Sequence, residues 1–276
     1  MNPRLAAYLE RLGHSGPPTP DAAGLEALQR AHRLAIPFEN LDIPLGRPIA
    51  IDSDSVFAKL VAGGRGGYCF EHNRLLADML ALAGIVTRPL LARVWLRAAP
   101  GSIPPRTHVL LLTELGGEQR IADAGFGGSY VPVLPLADGA EAETPDRARH
   151  RLRRRGGAGA VEGEWTMERA GPATCGWEEW RAQYSFGLGE VAPVDLAQAN
   201  LWTSTAPGTR FTSHVIASRP LADGFASLTD RTLSIARGAD AEQREIGDPA
   251  AYAAMLGEVF GIALPEERLR EWPIFG

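Results

Sequence analysis

Cysteine carries the most versatile chemistry in this chain, and one of its two cysteines is placed where that chemistry could be used. Cys69 lies in RGGYCFEHN, residues 65 to 73, between a glycine pair and the opening of a helical pattern. A thiol at a helix start faces unpaired backbone N–H groups and the positive end of the helix dipole. That setting, or a neighbouring imidazolium, lowers a cysteine pKa from about 8.5 to roughly 3.5–7.5 and favours the nucleophilic thiolate. Gly66 and Gly67 would let the backbone turn sharply and leave space for a substrate. The competing reading is a buried structural cysteine, a common fate of this residue type. Cys175, in PATCGWEEW, has no histidine nearby and reads as structural.

A nucleophilic cysteine needs a base, and the base needs a group that orients it. Of the six histidines, His14, His32 and His150 lie in polar surroundings that read as exposed. His72 reads as a surface residue of the Cys69 helix, and His214 falls inside a candidate strand. His108 differs. It opens HVLLLTEL, and the following run ends in IADAGFGG. Between them ELGGEQ is a Gly-Gly hairpin signal. If Gly116 and Gly117 centre the turn, Leu115 pairs with Glu118, and the same register sets Asp123 opposite Leu110. Leu110 shares a face with His108, so Asp123 and His108 become diagonal neighbours on one face. A register shifted by one residue would separate them. Taken alone, Asp123 would be a strand-end turn former. Together, a thiol on a helix and a His–Asp pair on a hairpin follow the logic of a catalytic triad, in chain order Cys69, His108, Asp123.

The elements around these residues fall into three regions. Residues 1–84 read as a helical bundle carrying the nucleophile: PRLAAYLERLG stops at Gly13, and TPDAAGLEALQRAHRLA opens with Thr19 as cap and Pro20 in its first turn. SDSVFAKLVAGG has cap candidates at Ser53 and Asp54. In the Cys69 helix, Leu75, Leu76, Met79, Leu80 and Ala83 fall at helical spacing before Gly84. Residues 85–190 hold short β runs separated by glycine and proline, the pattern of a small barrel or sandwich carrying His108 and Asp123; PLADGAEAETPDR reads as a loop. Residues 191–276 mix types, with strand-like RFTSHVIAS and RTLSIARG and a helix opening at Asp248 and Pro249.

Composition limits the partners. A net charge of −5 argues against general affinity for nucleic acid. The arginine run from Arg147 to Arg155 alternates like an exposed strand face and lacks interleaved aromatics for base stacking. No signal-peptide order and no long apolar stretch appears, and two cysteines make no disulfide framework, so a soluble, reducing, cytoplasmic setting is expected. Lys59 is the only lysine among 28 basic residues, a skew that fits a GC-rich, bacterial genome. No Cys/His cluster has zinc spacing, and no metal is expected.

The motifs IPFENLDI (36–43), RGGYCFEHN, THVLLL around His108, DAGFGG (123–128) and STAPGTRF (204–211) resemble, in order and spacing over almost the whole chain, those of the arylamine N-acetyltransferases. The resemblance implies an α+β fold: an N-terminal helical bundle, a central β-barrel and a C-terminal α/β lid, with a cysteine-protease-like Cys-His-Asp triad. It implies acetyl transfer from acetyl-CoA to an arylamine or arylhydrazine through an acetyl-cysteine. The family's triad falls on Cys69, His108 and Asp123, and its positioning pair on Arg65 and Glu39. Positions lining the amine pocket fall on Phe38, Phe126 and Phe211, and CoA contacts on Gly127, Trp202, Thr205 and Gly208. The chain ends at EWPIFG, short of the tail of some animal members, so a tail-borne CoA contact is expected to be missing. An amide synthase or another cysteine-triad acyltransferase would use the same scaffold; a papain-type peptidase fits less well, because CGSCW is absent. A non-catalytic binding module that kept the fold is the alternative of another class.

Overall fold

A computed structural model of the chain describes every residue except 172–176, 239, 271, 273 and 276, so the reading of Cys175 lies outside the described residues. Helix α1 (Pro3–Leu12) ends on Gly13, whose φ of 63° is the left-handed stop that glycine tolerates. Helix α2 (Ala22–Ala35) is capped by Asp21 and not by Thr19. The Gly24 N–H donates to the Asp21 carboxylate at 2.8 Å, and the Thr19 hydroxyl donates to that same carboxylate. Pro20 therefore precedes the helix. The two-residue strand β1 (Phe38–Glu39) follows. Asp52, in place of Ser53 or Asp54, caps α3 (Ser53–Phe57), which runs on as a π-type turn to Ala62. In both corrected caps an aspartate reaches the third N–H of its helix. Helix α4 (Cys69–Leu82) starts on the nucleophile candidate, and its Leu75, Leu76, Met79 and Leu80 pack with Leu9, Leu28 and Leu60 into the core of the helical layer.

Three histidines read from the sequence as exposed are fully buried: His32, His72 and His150. His32 and His72 belong to one chain of hydrogen bonds joining α1, α2 and α4. The Pro37 carbonyl can only accept, so His72 Nε2 donates to it at 3.1 Å. His72 Nδ1 must then accept from His32 Nε2 at 2.7 Å, and His32 Nδ1 accepts the Tyr8 hydroxyl at 2.7 Å. Every polar atom is satisfied only while both rings are neutral. Burial accordingly holds His32 down at about 3 and His72 well below its ordinary value.

Strands β2 (Thr87–Val94), β3 (Arg106–Leu115), β4 (Glu118–Ala122), β5 (Leu134–Pro135), β6 (Glu141–Glu143), β7 (Arg149–Arg154), β8 (Trp165–Gly171) and β9 (Trp177–Phe186) form one antiparallel sheet in the order β5-β4-β3-β2-β9-β8-β7-β6. Leu90, Leu110, Ile121, Leu134, Leu152, Met167 and Tyr184 meet in a single cluster, so the sheet curls into a near-closed barrel around them. The segment read as a loop, residues 135–147, contains the end of β5 and the whole of β6, both too short to carry a periodic pattern. Strand β3 is buried on both faces. Val109 and Leu111 point to the helical layer, and Leu110 and Leu112 into the barrel. The arginine run forms β7; Arg151 and Arg155 both donate to Glu168, and Arg153 to Asp138. A charge-paired strand face explains it.

The remaining elements are α5 (Pro193–Thr205), α6 (Arg210–Ser213), β10 (Ile216–Pro220), β11 (Gly224–Thr229), β12 (Thr232–Arg237), β13 (Asp240–Glu245), α7 (Pro249–Met255) and α8 (Glu266–Leu269). The strand read across RFTSHVIAS is split: Thr209 caps the short α6, and His214 ends it before β10 begins. Strand β11 intervenes between β10 and β12 in a second antiparallel sheet, β1-β10-β11-β12-β13. Its first member, β1, ties the stretch between α2 and α3 to the C-terminal elements. Among the described residues no helix is long and apolar enough to cross a membrane.

Buried neutral histidines set an acid limit. Burial holds His150 at about 3 as well, so between pH 6.5 and 3 the unfolded chain binds three histidine protons that the folded chain refuses. Buried Glu71, pushed up to about 7, works the other way by one proton. Stability is therefore greatest above pH 6.5 and is expected to fall by roughly 2–3 kcal/mol per unit between pH 6 and 5. Urea unfolding at pH 7.5, 6 and 5 measures this, and equal midpoints at pH 6 and 5 would contradict it.

Candidate active site

The β3–β4 hairpin closes through Gly116 (φ 62°) and Gly117 (φ 81°), the two positive-φ centres of a tight turn whose twist suits a hairpin. Leu115 pairs with Glu118, and the register continues to Leu111 opposite Ala122. Beyond that point the strands part, and His108 Nε2 meets Asp123 Oδ2 at 2.8 Å. A β-bulge stands next to His108. Opposite Ala92 and Arg93 of β2, strand β3 presents His108 and Arg106, which leaves Thr107 as the extra residue. The Thr107 carbonyl receives the Cys69 thiol hydrogen at 3.6 Å. Hairpin end, bulge and helix start thus converge on one place, buried to within a few per cent at all three side chains.

Asn73, one turn after Cys69, completes this centre, and the sequence reading missed it. Its side-chain N–H groups donate to Asp123 Oδ1 at 3.1 Å and to the Val109 carbonyl at 2.7 Å, while its Oδ1 accepts the Ala124 N–H at 3.0 Å. The Gly125 N–H donates to Asp123 Oδ1 at 2.9 Å, and the Asp123 N–H donates to Gln29 of α2 at 2.7 Å. The signal was available: Asn73 follows Cys69 by four residues, on the same side of the helix. Burial alone would push the Asp123 carboxyl up. The His108 ring, the Asn73 amide and the Gly125 N–H offset it and hold the group below the ordinary carboxylate range. Tyr184 and Phe126 enclose the His108 ring, with ring centres at 4.9 and 5.3 Å.

The thiol departs from expectation. Burial first, and the Asp123 charge second, push Cys69 up, and the N–H groups of Val109 and Phe70 at the sulfur do not reverse this. Desolvation thus works against the thiolate that a helix start alone would favour. The glycine pair has a different use from the one expected. A Cβ on Gly66 would lie 2.2 Å from the Pro37 carbonyl, and one on Gly67 would lie 2.7 Å from Glu71, so both permit close packing of the 37–39 stretch and the helix start.

Arg65 and Glu39 meet at 2.8 Å, with Glu39 Oε2 accepting the Leu41 N–H. They are part of a larger ion network. Lys59, the sole lysine, bridges Asp42 at 2.6 Å and Glu71 at 2.7 Å, and Glu71 also accepts the Tyr68 N–H. Phe38 and Phe211 are ring neighbours at 6.0 Å in the cluster that contains Cys69, whereas Phe126 lies on the barrel side against His108. Gly127 packs under Phe38, where a Cβ would come within 2.7 Å of the ring. Trp202 and Thr205 line a groove of about 810 Å³ along α5 that reaches Leu91 and Ala199, both packed against the Cys69 cluster. Gly208, at φ 73°, lies in the loop just past this groove. The structure thus gathers Cys69, His108 and Asp123 and pairs Arg65 with Glu39, while Gly127 does not line the groove.

A family model for N-acetyltransferases matches residues 21–269, which places the chain in that class of enzymes. It is 35% identical to an arylamine N-acetyltransferase of Escherichia coli K12 over 97% of this chain and 92% of that one. It is 36% identical, over 96% and 90%, to a protein of Salmonella typhimurium named arylamine N-acetyltransferase / N-hydroxyarylamine O-acetyltransferase. The solved arylamine N-acetyltransferase of Salmonella typhimurium superposes with a TM-score of 0.88 at 34% identity, covering 98% of this chain and 97% of that one. That of Mycobacterium marinum in complex with CoA superposes at 0.85 and 32% identity, covering 96% of each. The chain belongs to the arylamine N-acetyltransferase family.

Replacing Asn73 by alanine leaves Val109 O, Ala124 N and part of Asp123 unpaired in the interior. Asn73→Ala is expected to lower stability by about 2–4 kcal/mol. A urea midpoint unchanged from the parent would show that the amide does not hold the centre together.

Proposed function

We propose that the protein moves an acetyl group from acetyl-CoA to the nitrogen of an arylamine or arylhydrazine, with Cys69 as the relay. The observation that carries this is the buried 2.8 Å bond between His108 and Asp123 beside the Cys69 sulfur, in a chain of this family. The site has a base with its orienting carboxylate and a thiol at a helix start. His108 takes the proton of Cys69 as the sulfur attacks the acetyl-CoA carbonyl, forming the S–C bond. The tetrahedral intermediate then collapses, and CoA leaves as its thiol, taking the proton back from His108. The amine attacks the acetyl-Cys69 thioester, gives its proton to His108, and the amide departs as the sulfur recovers a proton. Asp123 fixes the imidazole tautomer and stabilises the imidazolium in both halves. Exchange of one thioester for another is nearly balanced in energy and amide formation runs downhill, which suits a sulfur relay.

The groove beside α5 is the route we infer for the donor, with Trp202 and Thr205 on its wall. Arg65 and Glu39 brace the stretch that precedes Cys69, and Phe38 and Phe211 offer aromatic surface to the acceptor. A thiol-dependent relay suits a reducing compartment, and we place the protein in the cytoplasm.

Incubation with acetyl-CoA alone should leave one acetyl group on Cys69, found by mass spectrometry of the intact protein and its peptides. Cys69→Ser should lose both the adduct and the turnover, since a serine hydroxyl is a far weaker nucleophile here. Turnover near the parental rate in that variant would eliminate the relay.

Asp123→Asn tests the orienting role. An amide of the same shape cannot stabilise the imidazolium, and acetyl transfer is expected to drop by about 10⁴-fold, as in the related serine triad. If the folded variant kept its activity, Asp123 would be a turn residue only.

A further inference from the structure

Helix α5 packs Leu196 and Ala199 inward, yet the residues it buries most completely are polar. Its buried side chains are the polar Asn200, Thr203 and Ser204, whereas Val194, Leu201 and Trp202 are 63%, 62% and 47% exposed. A surface helix normally presents the opposite arrangement. The outward apolar residues Leu201 and Trp202 line the groove. The inward polar side makes directional bonds that an apolar face cannot make. Asn200 Oδ1 accepts the Tyr68 hydroxyl, and Asn200 Nδ2 donates to the Ile49 carbonyl at 2.9 Å. The Asn200 carbonyl accepts the Ser204 hydroxyl at 2.8 Å. Tyr68 immediately precedes Cys69, and its ring is set edge-on to Phe211 at 5.6 Å. Around this amide the surroundings are apolar: Ile49, Cys69, Phe70 and Val109 form one cluster, with Leu196 and Ala199 of α5 packed against it. A buried amide in such a place is satisfied in one register, and a slide or rotation of α5 would strand it.

We propose that Asn200 is a positioning residue for the acyl-donor half of the reaction. Through Tyr68 it fixes the register of the groove helix against Cys69, so that a thioester lying on the outward face of α5 is presented to the sulfur. This rests on the donor reading given above. The acceptor half does not draw on that register, because the acetyl group is then already on Cys69 and His108 is held from the barrel side.

A relay through one sulfur separates the two halves kinetically: kcat/KM for acetyl-CoA reports the donor half, and kcat/KM for an arylhydrazine reports the acceptor half. Tyr68→Phe keeps the ring and removes only the hydroxyl, and Asn200→Ala removes the amide. Each is expected to lower kcat/KM for acetyl-CoA about tenfold while the hydrazine constant stays within about twofold, and the double variant should lose little more than either single one. Equal losses in both constants, a loss confined to the hydrazine constant, or no loss in either would overturn the proposal. A parental protein that takes no acetyl group from acetyl-CoA would instead overturn the donor reading beneath it.

Discussion

The site depends on one carboxylate kept ionised where solvent barely reaches it. Asp123 is 1% exposed, and a buried charge is costly unless its lone pairs are met by donors. The donors come from separate parts of the chain: His108 from β3, Asn73 from α4 and the N–H of Gly125 from the turn after β4. The Asp123 backbone is fixed in turn by Gln29 of α2, whose amide also donates to the Val131 carbonyl at 2.8 Å. The helical layer and the barrel are therefore joined at this buried carboxylate. Motion between the two layers would break bonds to a buried charge, so the joint that orients His108 also holds them in register.

The same economy governs the approach to Cys69. The stretch 37–39 lies against Gly67 in a parallel bridge, and the Pro37 carbonyl takes both the Gly67 N–H and the His72 ring N–H. His72 therefore ties the residues before β1 to α4 one turn beyond the sulfur. Phe38 lies parallel to that imidazole, with ring centres 6.3 Å apart. Neutral histidines serve here as shaped donor–acceptor pairs, and their acid sensitivity is a consequence of that use.

Much of this was legible in the sequence, and the limits of legibility have physical causes. The Gly116–Gly117 turn dictates its register because only positive φ closes a two-residue hairpin, and from that register the His108–Asp123 pairing follows. Gly13 and Asp248 likewise mark helix ends by local chemistry. What pattern could not give is set by tertiary partners. His32, His72 and His150 lie among polar neighbours in sequence but at buried positions in space. Helix α5 defeats an amphipathic reading because the residues it buries most completely, Asn200, Thr203 and Ser204, are polar. The bulge at Thr107 leaves no trace in composition, yet it sets the carbonyl that meets the thiol.

In the relay proposed above, Asp123 acts on Cys69 in two opposed ways. Directly, its negative charge adds to burial in raising the thiol pKa. Indirectly, it lies within bonding distance of the ring that would take the thiol proton, and a carboxylate there would compensate the imidazolium charge formed in that step. Transfer of one proton from Cys69 to His108 removes no net charge from the interior, so the desolvation that resists ionising the thiol alone bears less heavily on forming the ion pair. A carboxylate too far to bond His108 but close enough to be felt by the sulfur would only suppress the nucleophile. The hairpin register, by bringing Asp123 within 2.8 Å of the ring, makes the indirect effect available.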